Sequence, residues 1–408
     1  MSIAQASAGL AITIAEGLLD PHRVLAADPV RPAASLQGLA GTALLHARLS
    51  AVSPVFEAAA RSHWHAAAAH APRRRTTSSG TFAAPGGLAT SLILGESYLP
   101  DPEPQRQAVR HAVRWLSART ADKAATHQDL LRQGPVAPSW ALYDVITGLT
   151  GSGRILLAAQ ARGHDHAERG LVAALTTLQA MINTPQGDTR PGWWLPPGSR
   201  PNTAGFPAAG AAETGMAHGI AGPLSLIATA ASAGWSVDGQ ATAIRTAAHW
   251  LLKWQDPDTK TWPPHITGTE LDSGNHAPSP PAGRRDAWCY GTPGISRALA
   301  LAGHALADPR LASAATAALD ALAARPATQW DASGPALCHG YAGVLHCAGP
   351  GHDPLASQAA TIICAKYRNC GEPGFLTGAA GTALALADHG GLPARADPVR
   401  WDAALLLS

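Results

Sequence analysis

One short pattern recurs along the chain: two glycines three residues apart, followed at once by an apolar run of helical length. It reads "GLAGTALL" at Gly38, "GLTGSGRIL" at Gly148, "GIAGPLSL" at Gly219, "GTPGISRAL" at Gly291, "GYAGVLHC" at Gly340 and "GAAGTALAL" at Gly378. A seventh copy, "GLATSLIL" at Gly87, carries Thr90 in place of the second glycine. The intervals of 49, 61, 71, 72, 49 and 38 residues each leave room for two helices and their connections. Self-similarity at such a period predicts stacked helix pairs. A glycine at a helix start permits unusual backbone angles and close approach of neighbouring backbones. The apolar runs are therefore predicted to be buried inner helices. Ala-rich segments between them, such as "PRLASAATAALDALAAR", are predicted to be outer helices with one wet face. Seven pairs can close into an α/α toroid or stay open as a solenoid.

The repeat also makes 408 residues compatible with one domain, 1–408, although that length would ordinarily accommodate two or three. Only 14% of residues are charged and the formal net charge is +2, which argues against a nucleic-acid partner. The first residues, "MSIAQASAGLAITIAEGLLDP", lack the basic start of a secretory signal, and no uncharged apolar run long enough to span a bilayer occurs. Five cysteines in so long a chain do not make a disulfide framework. A soluble protein of a reducing compartment, the cytoplasm, is expected.

If the inner helices start on one side, the residues just before each motif converge at one mouth. These are Gln37, Gly86, Thr147, His218, Tyr290, His339 and Thr377. One step earlier stand Ala217, Cys289, Cys338 and Leu376, so two of the five cysteines share a register in adjacent repeats. Cys289, Cys338 and His339 make a set of two sulfurs and one imidazole nitrogen. Catalytic zinc takes three protein ligands and keeps a fourth position open, and thiolate with imidazole suits it better than magnesium or calcium. The alternative is two buried structural cysteines. Cys347, Cys364 and Cys370 fall outside the register and read as packing residues. His63 and His65 in "RSHWHAA" are two apart and are expected on the surface.

The motifs "AWCYGTPG", "LCHGYAG" and "MAHGIAG", with the seven glycine-led helices, resemble the LanC-like lanthipeptide cyclases over nearly the whole chain. The resemblance implies an α/α toroid with one zinc ion, Zn2+, held by Cys289, Cys338 and His339. It implies addition of a peptide cysteine thiol to dehydroalanine or dehydrobutyrine, giving a (methyl)lanthionine thioether ring. Three further positions match the family's active-site pattern: Asp144 in "YDVITGLTG", His218 in "AHGIAG" and Arg285 in "RRDAWCYG". His218, titratable near neutrality, is the candidate proton donor. Asp144 would orient it or relay the thiol proton, unless it is a repeat-boundary cap. Arg285 would stabilise the enolate or anchor the peptide, with Arg284 beside it competing for that place. Tyr290 either donates a hydrogen bond at the site or packs against a neighbouring repeat.

The expected partner is a dehydrated precursor peptide, with dehydration performed by a separate protein. The Trp- and Pro-rich stretches "RPGWWLPPGSRP" and "KWQDPDTKTWPPH" read as rim lids or groove walls. "APRRRTTSSG" reads as an exposed loop. Two other functions stay open. One is addition of a small thiol such as glutathione to a dehydroamino acid; the other is a non-catalytic, zinc-stabilised scaffold for a peptide. Prenyl transfer would need a lined diphosphate-binding basic patch, and glycoside hydrolysis would need paired carboxylates at the mouth.

Overall fold

The computed structural model describes the chain apart from residues 72–79, 135, 188, 200–205, 276–284, 350, 369–371 and 398. Arg284, Cys370, most of the basic stretch at 71–80 and part of the loop before Cys289 thus lie outside the described residues. An α-helix begins at each of the seven glycine motifs: Leu39–Leu49, Gly86–Gly95, Leu149–Ala161, Ala221–Ser232, Thr292–Leu306, Tyr341–Ala348 and Ala379–His389. Close backbone approach explains the glycines. A Cβ on Gly219 would lie 2.3 Å from the Gly215 nitrogen, and one on Gly294 only 2.2 Å from the Trp288 carbonyl oxygen. Thr90, where the pattern breaks, is buried and donates its hydroxyl to the Thr81 carbonyl.

The chain gathers into two compact units. The first comprises Met1–Arg119, Arg154–Glu168 and Ala332–Ser408; the second comprises Thr120–Gly153 and Arg169–Asp331. Within the first, Leu39–Leu49 is buried along its whole length, packs on Pro54–Ala69 and also meets Gly86–Gly95 and Ala379–His389. Within the second, Ala221–Ser232 packs on Gln240–Lys253 and on Thr292–Leu306, which pairs with Pro309–Ala324. That last helix shows the expected outer pattern. Leu311, Ala315, Ala318, Leu319 and Leu322 are buried on one stripe, and Asp308 caps the helix by accepting from the Arg310 N–H. Among the described residues no helix is long and apolar enough to cross a membrane.

A two-stranded antiparallel ribbon is an addition to the helical expectation. Ala211–Glu213 pairs with His265–Thr267 inside the second unit, with Glu213 opposite His265. The Trp-rich stretches beside it are packing elements: Trp193, Trp254 and Trp262 are all buried.

His63 corrects the expectation of a surface residue, whereas His65 is exposed. His63 lies on the buried face of Pro54–Ala69 with Phe56, Ala59, Ala60, Trp64 and Ala67, a helical spacing that a reading of residue polarity overlooks. Its Nδ1 is 2.7 Å from the Thr42 hydroxyl, and its ring meets that of His46 edge-on at 5.0 Å. Each Nε2 donates across 3.1 Å to a backbone carbonyl, His46 to Leu18 and His63 to Leu19.

Burial, reinforced by the neighbouring His63, lowers His46 to about 3; burial also lowers His63. Both rings are neutral in the fold and take up protons on unfolding, so the stability they contribute is complete above pH 6.5 and is lost as pH falls below it. His46 alone should cost about 3 kcal/mol between pH 7 and pH 4. Urea unfolding across that range checks this. His46→Gln, with one group fewer to titrate, should show a correspondingly shallower decline.

Candidate active site

Four residues of short helix, Trp140–Tyr143, place two side chains on His218. The helix is followed directly by Asp144, whose N–H donates to the Trp140 carbonyl at 2.9 Å. Positions 140 and 144 are therefore one turn apart and share a face. Lys123 fixes the segment by donating to the carbonyls of Ala141 and Thr147. Asp144 Oδ2 lies 2.7 Å from His218 Nδ1, and the Trp140 indole stacks on the imidazole at 4.1 Å with 16° between planes.

Asp144 is also a cap, as the sequence allowed. Its Oδ1 accepts from the Thr147 N–H at 2.7 Å, the Gly148 N–H at 2.6 Å and the Thr147 hydroxyl at 3.0 Å. The two readings are compatible because the oxygens divide the work: Oδ1 takes the loop and Oδ2 takes the histidine. The Asp144 side chain is 1% exposed and that of His218 26%. A carboxylate only accepts, so His218 Nδ1 carries the hydrogen and Nε2 is left for proton exchange.

The turn holding Cys289 and Tyr290 is tied to the His218 turn. An isolated bridge joins Asp286 to Gly291, and the Ala287 N–H closes it by donating to the Tyr290 carbonyl at 3.1 Å. The Ala217 N–H donates to the Cys289 carbonyl at 3.1 Å, and the Val145 N–H donates to the Ala217 carbonyl at 3.0 Å. Three glycine-motif turns of this unit are thereby laced by backbone hydrogen bonds. Asp286, buried, anchors the turn through Arg325 at 2.6 Å and the Asp331 N–H at 3.0 Å. The Tyr290 ring lies 6.4 Å from that of His218, and its hydroxyl donates to Glu213 Oε1 at 3.2 Å. Arg285 is exposed, has a left-handed φ of 34°, and donates its backbone N–H to Asp331 Oδ2 at 3.2 Å.

In the first unit, Cys338 and His339 precede the Tyr341–Ala348 helix. The Cys338 N–H donates to the Leu376 carbonyl at 2.9 Å, and the His339 carbonyl accepts from the Ser333 N–H at 2.8 Å. Leu376 is the corresponding residue of the next repeat, so here too the shared register is a backbone contact. Gln37 and Thr377 have structural duties: the Gln37 side-chain oxygen accepts from the Leu376 N–H, and Thr377 donates to Glu372. Cys289 is a buried thiol and Cys338 a partly exposed one. Two thiols and an imidazole are the donor chemistry that suits zinc. Among the described residues, no group of three or more His, Cys, Asp or Glu is gathered so as to hold a metal ion.

Two residues of the cluster escape a reading of the sequence. Trp140 lies four positions before Asp144, a usable signal once that segment is known to be helical. Glu213 lies five before His218 and carries no motif.

Helices led by glycine turns, with a His–Asp pair joining two of those turns, define the class. The family model of lanthionine synthetase C-like proteins matches residues 30–348, and the chain belongs to that family. Among solved structures it is similar to nisin cyclase, at 20% identity over 92% of each chain and a TM-score of 0.76. The fold is the all-α, α/α toroid of that enzyme. No curated protein matches the chain.

Proposed function

We propose that the chain is a zinc-dependent cyclase that adds peptide cysteine thiols to dehydroalanine or dehydrobutyrine, forming (methyl)lanthionine rings. The observation that carries this reading is the pairing of buried Asp144 with His218, whose own turn is laced to that of Cys289, in a chain of this family. The substrate is a dehydrated precursor peptide, which requires a dehydrating activity upstream. A reducing compartment such as the cytoplasm would keep Cys289 and Cys338 as thiols.

The reaction is an addition without loss of atoms. The peptide thiol gives up its proton, its sulfur bonds to the β-carbon, and the electron pair of the double bond moves onto the α-carbon and its carbonyl as an enolate. The α-carbon then takes a proton. Cys289, Cys338 and His339 would hold one zinc ion, which when bound lowers the pKa of a coordinating thiol and so supplies a thiolate near neutral pH. His218 delivers the proton to the α-carbon from Nε2, while Asp144 retains the Nδ1 hydrogen and with it the ring's orientation. Arg285, exposed beside the Cys289 turn, is suited to a carboxylate of the peptide or to the enolate oxygen.

The test is incubation with a synthetic peptide carrying one dehydroalanine and one cysteine. The expected result is loss of the free thiol at unchanged mass. A gain equal to an added small thiol such as glutathione would assign intermolecular addition instead. Binding without either change would leave a scaffold.

A further inference from the structure

Glu213 is a buried carboxylate, 1% exposed. Burying a charge is costly unless hydrogen bonds offset it, so its partners indicate its purpose. One oxygen, Oε2, accepts from the Trp140 indole N–H, and the other, Oε1, accepts from the Tyr290 hydroxyl at 3.2 Å. Those two rings border His218: the indole stacked on it at 4.1 Å, the phenol at 6.4 Å. A single carboxylate thus holds two of the aromatic neighbours of one imidazole.

Its own backbone is fixed well enough to do this. Glu213 sits in the ribbon opposite His265, and its carbonyl accepts from the Ile220 N–H at 3.0 Å across the turn that carries His218. Gly215 lets the Tyr290 ring close against this turn, since a Cβ there would lie 2.6 Å from the Tyr290 ring. The same short stretch of chain therefore presents both the histidine and the group that fixes the histidine's neighbours.

We infer that Glu213 is a positioning residue for the cyclisation, holding Trp140 and Tyr290 so that the His218 ring keeps one orientation while Asp144 fixes its tautomer. This rests on the proton-transfer role given to His218 above. Asp144 anchors only Nδ1, about which the imidazole can still rock; the stacked indole removes that freedom. Misplacing a proton donor by a fraction of its reach lowers the rate of transfer while leaving peptide binding largely alone.

Three variants and two measurements test the inference. Glu213→Leu removes both acceptors, Trp140→Phe keeps a ring but removes the N–H, and Glu213→Gln restores the pattern, its carbonyl accepting from Trp140 and its amide donating to the Tyr290 oxygen. The first measurement is kcat and KM for the synthetic dehydroalanine–cysteine peptide. The second, independent of activity, is deuterium uptake at the imidazole C2 of His218, read by mass spectrometry, which slows when a ring covers that carbon.

Glu213→Leu and Trp140→Phe should each lower kcat by about tenfold at nearly unchanged KM, and the double variant should be no worse than the poorer single one. Both should speed uptake at His218 but not at buried His46, and Glu213→Gln should restore wild-type values. Wild-type kcat and uptake in a folded Glu213→Leu protein would overturn the inference, as would a Glu213→Gln variant equally impaired. If His218→Ala retained full kcat, the proton-transfer reading would fail by itself, while the uptake of Glu213→Leu would still report whether the carboxylate holds the indole in place.

Discussion

Replacing His339 with Ala is expected to leave the purified protein without stoichiometric zinc and to lower ring formation by about a hundredfold or more. The size follows from the nucleophile. An unassisted cysteine thiol, with a pKa near 8.5, is only about 3% ionised at pH 7, and even that fraction would no longer be held beside the dehydroamino acid. Cys289→Ala and Cys338→Ala should behave alike. Cys364→Ala is the matched control, since that thiol faces the Ser7 hydroxyl, at 3.8 Å, and stands outside the register. Elemental analysis is the decisive measurement because, among the described residues, no three potential ligands are gathered as they stand. Full zinc in His339→Ala would remove the ligand assignment, whatever the activity did.

The parts of this molecule that were legible in the sequence are those whose cause is local and repeated. Each inner helix is announced by a glycine whose Cβ would strike backbone, as at Gly219 and Gly294, followed by a largely apolar helix whose first turn is buried on every side. Position within the motif then carried information too: Ala217 with Cys289, and Cys338 with Leu376, prove to be backbone partners. What escaped notice has non-local or very short causes. A helix of four residues, Trp140–Tyr143, is too brief to show a period, so the shared face of Trp140 and Asp144 was hidden. The 211–213 and 265–267 strands are separated by more than fifty residues and lack a hairpin turn to announce them. Glu213 could not be singled out because its side-chain partners, Trp140 and Tyr290, come from two segments far from it in sequence. His63 is hidden for a different reason: a polar residue on a buried helix face is recognisable only when its partners, here Thr42 and the Leu19 carbonyl, are known.

Removing His218 is expected to leave zinc in place and lower kcat by about a hundredfold to ten-thousandfold, the usual worth of a positioned general acid. Asp144→Asn is the more discriminating change. The three loop donors on Oδ1 require an oxygen at that position, which turns the new amide nitrogen toward His218 Nδ1. An amide there donates, so the ring must accept at Nδ1 and carry its hydrogen on Nε2 as the neutral tautomer. Such a ring has the wrong proton inventory: Nε2–H of a neutral imidazole is a very weak acid, and protonating Nδ1 would oppose the amide. The loop itself should persist, since its donors keep their oxygen. The expected result is therefore a drop in kcat of about a thousandfold with fold, zinc content and peptide affinity nearly unchanged. A kcat within a few-fold of wild type in Asp144→Asn would mean that Asp144 serves only as the cap it also is, and that the α-carbon is protonated by another group. Loss of zinc in either variant would instead tie His218 to the metal and displace it from the proton-transfer role.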